Sequence, residues 1–139
     1  FVCGCGKCGH LEQYASATGI VRKARQVLES SDQPSMLRDV AYLSCKEVFD
    51  CAKKGDDLSL QILDFVGDQL GNACAMISGV FDPEIYVIGG GVSKAGDILI
   101  DTVREHFKKY AFHASADAEF VLATLGNDAG MYGAVKMVL

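Results

Sequence analysis

Asp82-Pro83-Glu84-Ile85-Tyr86-Val87-Ile88-Gly89-Gly90-Gly91-Val92-Ser93 is the stretch on which the fold turns. Asp82-Pro83 reads as a turn, and Glu84 to Ile88 as a short strand that the three glycines stop. Working outward, Leu60, Leu63, Val66, Leu70, Ala73, Cys74 and Ile77 recur at helical spacing between Asp56-Asp57 and about Gly79. Beyond Leu70 this segment is apolar nearly all round, which predicts a buried C-terminal half. Downstream, a helix is expected from about Gly96 to Ala111, with Val103, Phe107, Tyr110 and Ala111 facing inward. A second strand is expected over Glu119 to Ala123, then a turn at Gly126-Asn127-Asp128 and a last helix from Ala129 to Leu139. Helices alternating with strands of this length imply an α/β chain with a parallel or mixed sheet covered by helices.

Upstream, apolar residues from Leu11 to Leu28 keep one helical period, and Ser30-Ser31-Asp32-Gln33-Pro34 breaks it. Ser44 and Glu47 have capping-box spacing ahead of Val48 and Phe49, so another helix is expected from about Ser44 to Gly55.

Composition narrows the classes. The chain has 139 residues, 50% hydrophobic and 22% charged, with a formal net charge of −5. That suits one globular α/β unit with a real core. Its basic residues are scattered, which argues against a nucleic-acid stripe, and the acidic balance argues against an anionic membrane surface. No apolar run reaches the ~20 residues of a bilayer span, and no signal peptide opens the chain, so the cytoplasm is the expected compartment. The six cysteines read as buried fillers or metal ligands rather than a disulfide framework. The start at Phe1, inside a cysteine cluster, leads us to expect a piece of a longer protein.

Four segments offer chemistry. After a strand, glycines let backbone approach a ligand and adopt positive φ. The triple glycine therefore reads either as a nucleotide-contacting turn or as a ligand-free strand–helix turn. It is neither a Rossmann fingerprint, since Lys94 stands in the last glycine's place, nor a P-loop, since Asp97-Ile98 comes after Gly96. Cys3, Cys5, Cys8 and His10 place four thiol or imidazole side chains within eight residues. They suit zinc, or else form a reduced glycine-rich loop. Glu12 begins a helix, where a carboxylate is favoured by the dipole and could also accept sugar hydroxyls. Leu125 to Gly130 holds ordinary turn and cap residues.

Taken in order, these segments resemble the ROK family of sugar kinases. Cys3, Cys5, Gly6, Gly9 and Glu12 match its C-x-C-G-x-x-G-C-x-E loop. Tyr14 to Ile20, Ala52 to Asp56, Asp82 to Gly96 and Leu125 to Ala134 continue the match over almost the whole chain. The resemblance implies an actin-like ATPase (ribonuclease H-like) fold, of which residues 1–139 would be the C-terminal lobe, a mixed sheet flanked by helices. Sugar and ATP with Mg²⁺ would bind between two lobes, Glu12 on the sugar and Gly89, Gly90 and Gly91 on the adenosine side. No catalytic residue is expected in this chain: the aspartate base and the phosphate loop belong to the N-terminal lobe. Asp128 is given no catalytic role, because Leu125-Gly126-Asn127-Asp128-Ala129-Gly130 matches the family's C-terminal motif. The third zinc cysteine of the family aligns with His10, which makes Cys3, Cys5 and His10 the expected ligands of a Zn²⁺ site, with Cys8 at a variable position.

The expected function is glucose phosphorylation by the whole protein, with a homo-oligomer and no nucleic-acid or membrane partner. Rivals are a kinase for another hexose or an N-acetylated amino sugar, a sugar-responsive repressor of the same family, and a small zinc-binding interaction module. The last helix, residues 128–139, is expected to pack on the N-terminal lobe and so to leave Met131, Val135, Met137 and Val138 exposed here.

Overall fold

The structure, a computed structural model, describes residues 1–138. Leu139, at the end of the expected last helix, lies outside the described residues.

The chain begins with a glycine-rich loop and runs into α1 (Glu12–Ala15) and α2 (Ala17–Ser30). The single apolar period over residues 11–28 is thus two helices, and Ser16 divides them. Its backbone is extended (φ −79°, ψ 165°), and its hydroxyl caps α2 by accepting from the Gly19 amide at 3.1 Å. The two helices cross so closely that a Cβ on Gly19 would lie 2.6 Å from the Gln13 carbonyl oxygen.

A loop with a single 3₁₀ turn at Met36–Arg38 leads to α3 (Cys45–Lys53), where Ser44 caps the Glu47 amide at the expected spacing. α4 (Asp57–Phe81) starts on the Asp56 carboxylate, which accepts from Ser59 N at 3.0 Å. It ends where Asp82 turns left-handed (φ 44°), two residues later than the glycine at 79 suggested.

α4 is the central pillar. Its small residues admit α5 (Asp97–Tyr110): Cβ atoms on Gly67 and Gly71 would come within 2.4 Å of Thr102 Cγ2 and 2.6 Å of Phe107 N. Ile20, Val48, Ile62, Val66, Leu99, Val103 and Phe107 form the core that this approach closes. Tyr110, expected inward, instead stays near the surface and donates its hydroxyl to Asp68 Oδ1 at 2.5 Å.

β1 (Ile85–Ile88) and β2 (Glu119–Leu122) pair in parallel, Ile85 with Glu119 through Ile88 with Leu122. Among the described residues the sheet has these two strands, the parallel option of the expected arrangement. One face is anchored by an aromatic triangle of Tyr86, Phe107 and Phe120, with ring centroids 4.9–5.7 Å apart. The Tyr86 hydroxyl also donates to the Cys74 carbonyl of α4 at 2.7 Å. The opposite face is open, with Val87 60% exposed.

The C-terminal half of α4 departs from expectation. Cys74, Ala75 and Ser78 are buried, yet Met76 and Ile77 are 64% and 45% exposed, and beyond the expected end Val80 and Phe81 are open as well. Its all-round apolar surface has a partner on one side and none, among the described residues, on the other. α6 (Ala129–Lys136) is exposed along its length, and Met131, Val135, Met137 and Val138 are all open, as expected.

Candidate functional site: a triglycine turn with an apolar groove, and a cysteine loop

The carboxyl ends of both strands feed tight turns on the same side of the molecule. After Ile88, Gly90 adopts φ 81°, ψ −173°, a region that is essentially glycine-only. One 3₁₀ turn over Gly91–Ala95 comes next, and Gly96 (φ 79°, ψ −149°) hands the chain to α5. Ser93 steadies the turn by donating its hydroxyl to the Gly90 carbonyl at 2.7 Å. The turn after β2, at Gly126–Asp128, packs against this one.

Beside the triglycine turn lies a groove of about 240 Å³ lined by Ala17, Cys45, Phe49, Lys53, Val92 and Ala95, with Gly91, Lys46, Asp50 and Lys94 completing it. Its surface is overwhelmingly apolar, because the lysines contribute their aliphatic stems. Lys46 and Asp50 are turned to each other, Nζ to Oδ2 at 2.5 Å. The Cys45 thiol is pushed up to about 11 by burial, so it is a neutral wall rather than a nucleophile at neutral pH. A larger cavity at the amino ends of the strands is lined by Asp82, Glu84, Asp117 and Glu119. In open α/β sheets ligands sit at the carboxyl ends, so the smaller groove is the better candidate.

The second centre is the loop before α1. Val2 bridges Cys8 in antiparallel fashion, and Cys3 N donates to the Lys7 carbonyl at 2.8 Å, making a miniature hairpin. Left-handed Gly6 and Gly9 (φ 83° and 82°) allow it to close. The hairpin brings Cys3, Cys5 and His10 together, with ligand atoms all within 4.8 Å of one another and Cys5 Sγ 3.5 Å from His10 Nδ1. Cys8 is exposed and outside this cluster. The Cys3 thiol is drawn down to about 7, first by the Cys5 amide and then by His10 and the Cys5 thiol. Two thiolates and an imidazole so spaced fit three corners of a tetrahedral zinc site.

Glu12 opens α1 and is exposed, with its carboxylate free to meet a ligand. Five residues later Ala17 lines the groove. Five residues of chain reach at most roughly 18 Å, so the Glu12 and Ala17 backbones lie within that distance.

Sequence reasoning singled out the glycines, the cysteine loop and Glu12. The groove's other walls, Ala17, Cys45 and Phe49, carried no local signal, since small and apolar residues on helices look like core. The capping-box spacing of Ser44 and Glu47 pointed to α3 as a helix, but nothing in it marked the side chains that face a groove. The pair of His106 and Asp64, Nε2 to Oδ1 at 2.7 Å, was also silent in the sequence.

Comparison with known proteins gives the arrangement its context. The chain is 44% identical over 135 residues to a glucokinase of Halalkalibacterium halodurans, covering 94% of this chain and 41% of that protein. It superimposes with a TM-score of 0.87 and 29% identity on the crystal structure of a ROK family glucokinase from Streptomyces griseus in complex with glucose and AMPPNP, over 99% of this chain and 46% of that one. A more distant relative is the DNA-binding transcriptional dual regulator NagC of Escherichia coli, 28% identical over 112 residues, covering 81% of this chain and 27% of that protein. The chain spans less than half the length of these relatives. Helices packed on a small parallel sheet, with glycine turns at its carboxyl ends, are what it shares with one part of an actin-like ATPase. Since the family match runs over residues 1–139 and takes in the cysteine loop, Glu12 and the triglycine turn alike, the chain belongs to the ROK family.

Proposed function

We propose that the chain is the C-terminal lobe of an ATP-dependent sugar kinase whose acceptor is glucose. The observation that carries this reading is the apolar groove at the triglycine turn, reached within five residues of the exposed Glu12 carboxylate. Adenosine would lie against Gly89, Gly90 and Gly91, and Glu12 would accept hydrogen bonds from sugar hydroxyls. A carboxylate accepts two or more such bonds and so fixes the orientation of a polyol. Transfer of the γ-phosphoryl group needs a base to take the proton of the attacking hydroxyl, and donors with Mg²⁺ to hold the phosphates. No residue of this chain is given the base's role, which falls to an aspartate of the N-terminal lobe. The similarity to glucokinases, one of them holding glucose and AMPPNP, supports both substrates.

The cysteine loop would hold Zn²⁺ through Cys3, Cys5 and His10, with a further ligand from outside the chain. When bound, the ion would cross-link the loop and so set the position of Glu12. The cytoplasm suits such a protein, and no helix among the described residues is long and apolar enough to cross a membrane. The open faces of α6, β1 and the end of α4 would pack on the rest of the protein or on further copies in a homo-oligomer.

ATP consumption by the full-length protein with Mg²⁺ tests the reading across glucose, mannose, fructose, N-acetylglucosamine and N-acetylmannosamine. Turnover is expected to be strongest with glucose, and the isolated 139 residues are expected to give none. Preference for another sugar would keep the kinase and change its acceptor. No turnover with any sugar would favour the second reading, a sugar-responsive repressor, which the similarity to NagC supports.

A further inference from the structure

We infer that the nucleotide donor is held by a groove that reads the shape of a purine and not its hydrogen-bonding edge, so that ATP, GTP and ITP bind with similar affinity. The inference rests on the proposed kinase reading and goes on to the chemistry of its donor.

Adenine and guanine differ in the groups on their Watson–Crick edge: an amine beside a ring nitrogen in one, a carbonyl beside an N–H in the other. To tell them apart a site needs a fixed donor or acceptor aimed at that edge. Among its side chains the groove offers little of the kind. Ala17, Phe49, Val92 and Ala95 present carbon, and Phe49, 2% exposed, is locked in the core. Cys45 presents a neutral thiol, a weak hydrogen-bonding group. The one polar side chain deeply placed beside the turn, Ser93, has its hydroxyl committed to the Gly90 carbonyl. Of the charged groups, Lys46 and Asp50 are paired with each other, and Lys53 and Lys94 are exposed at the rim. Such ammonium groups at the ends of flexible stems carry no directional pattern.

The size of the preference depends on the kind of contact. A site that hydrogen-bonds its substrate rejects the unmatched analogue by about 10⁴–10⁵, whereas an apolar pocket manages only about 10². In an apolar groove both purines gain from desolvation alike. The preference between bases should therefore fall below about 100-fold.

The test is equilibrium binding of Mg²⁺–ATP, Mg²⁺–GTP and Mg²⁺–ITP to the full-length protein without sugar. Affinities within about 100-fold of one another are expected. ATP binding with a larger preference over GTP and ITP would overturn the inference and leave the kinase reading standing. Binding of none of the three would remove the reading itself. Two variants localise the effect. Ala17 is exposed at the first helical position of α2, so Ala17→Trp fills the groove without disturbing the core. It is expected to weaken all three nucleotides by a similar factor while leaving the melting temperature unchanged, and unaltered affinity would exclude the groove as the base site. Lys53→Met keeps the apolar stem and removes the charge. Its ATP-to-GTP affinity ratio should move by less than the roughly tenfold that one lost hydrogen bond to a charged group brings; a larger shift would mean that Lys53 reads the base.

Discussion

Gly89 and Ala123 stand side by side where the two parallel strands end. A Cβ on Gly89 would lie 3.2 Å from the Ala123 Cβ, and the Ala123 amide donates to the Ile88 carbonyl at 2.9 Å. The last backbone hydrogen bond between the strands is thus flanked by a close contact between the residues that leave them. A side chain at 89 would meet the Ala123 methyl more tightly than ordinary contact, so the neighbour would have to give by a few tenths of an ångström.

The neighbouring glycines are separable by experiment. Gly90 occupies a glycine-only conformation, so Gly90→Ala is expected to cost about 1–3 kcal/mol in strain, read as a lowered melting temperature. Gly91 has open space around its Cβ position and no positive φ. Gly91→Ala should leave stability unchanged and act on the groove alone, weakening ATP in the full-length protein. Equal destabilisation by both would show that strain is not what singles out Gly90.

The α4–α5 contact depends on Gly71 more than on Gly67. At Gly67 the nearest obstacle is the end of the Thr102 side chain, but at Gly71 it is the backbone of Phe107 and His106. Gly71→Ala should destabilise by at least the ~1–3 kcal/mol typical of overpacking, and Gly67→Ala by less. Urea unfolding of the two variants measures the difference.

Asp56 ties two segments together. It accepts from Ser59 N and Oγ, Ser35 Oγ and Met36 N at 2.7–3.0 Å. Burial would raise its carboxyl, but the bonds from Ser59, Met36 and Ser35 outweigh it and hold the group below the usual range. A depressed carboxylate stabilises above its unfolded value and loses that contribution as pH falls through the folded one. Stability should thus fall on acidification below about pH 4, and Asp56→Asn should flatten this slope. Asp56→Ala should cost about 2–3 kcal/mol near neutrality through lost charged hydrogen bonds and the α4 cap.

In the metal-free protein the Cys3 thiol titrates near 7, while Cys45 and Cys74, pushed up to about 11 by burial, do not. Iodoacetamide should therefore label Cys3 with a rate that rises through about pH 7, leaving Cys45 and Cys74 slow. Added zinc should suppress that labelling. Cys8→Ser is expected to retain zinc, and Cys3→Ser or His10→Ala to lose it, by metal analysis of the purified full-length protein. Loss of zinc in the Cys8 variant alone would relocate the third ligand.

Elements whose signals are local were legible in the amino-acid order. Ser44 and Asp56 cap their helices through their own side chains, Gly90 and Gly96 take backbone angles that other residues avoid, and the run from Ile85 to Ile88 has the composition of a strand. The same holds for the cysteine hairpin, whose candidate metal-binding side chains lie within eight residues and come together with two left-handed glycines, Gly6 and Gly9, in the loop. Periodicity alone did not reveal the break at Ser16, because the apolar face continues across it and only the crossing at Gly19 requires two helices. Nor could it separate buried from open apolar surface at Met76 and Ile77, since burial depends on which partner is present and not on the residue. The groove between α2, α3 and the triglycine turn exists only once the chain is packed. Ala17, Phe49 and Val92 are far apart in sequence, and each looks like core until the packing of α4 against its neighbours leaves a gap where they meet.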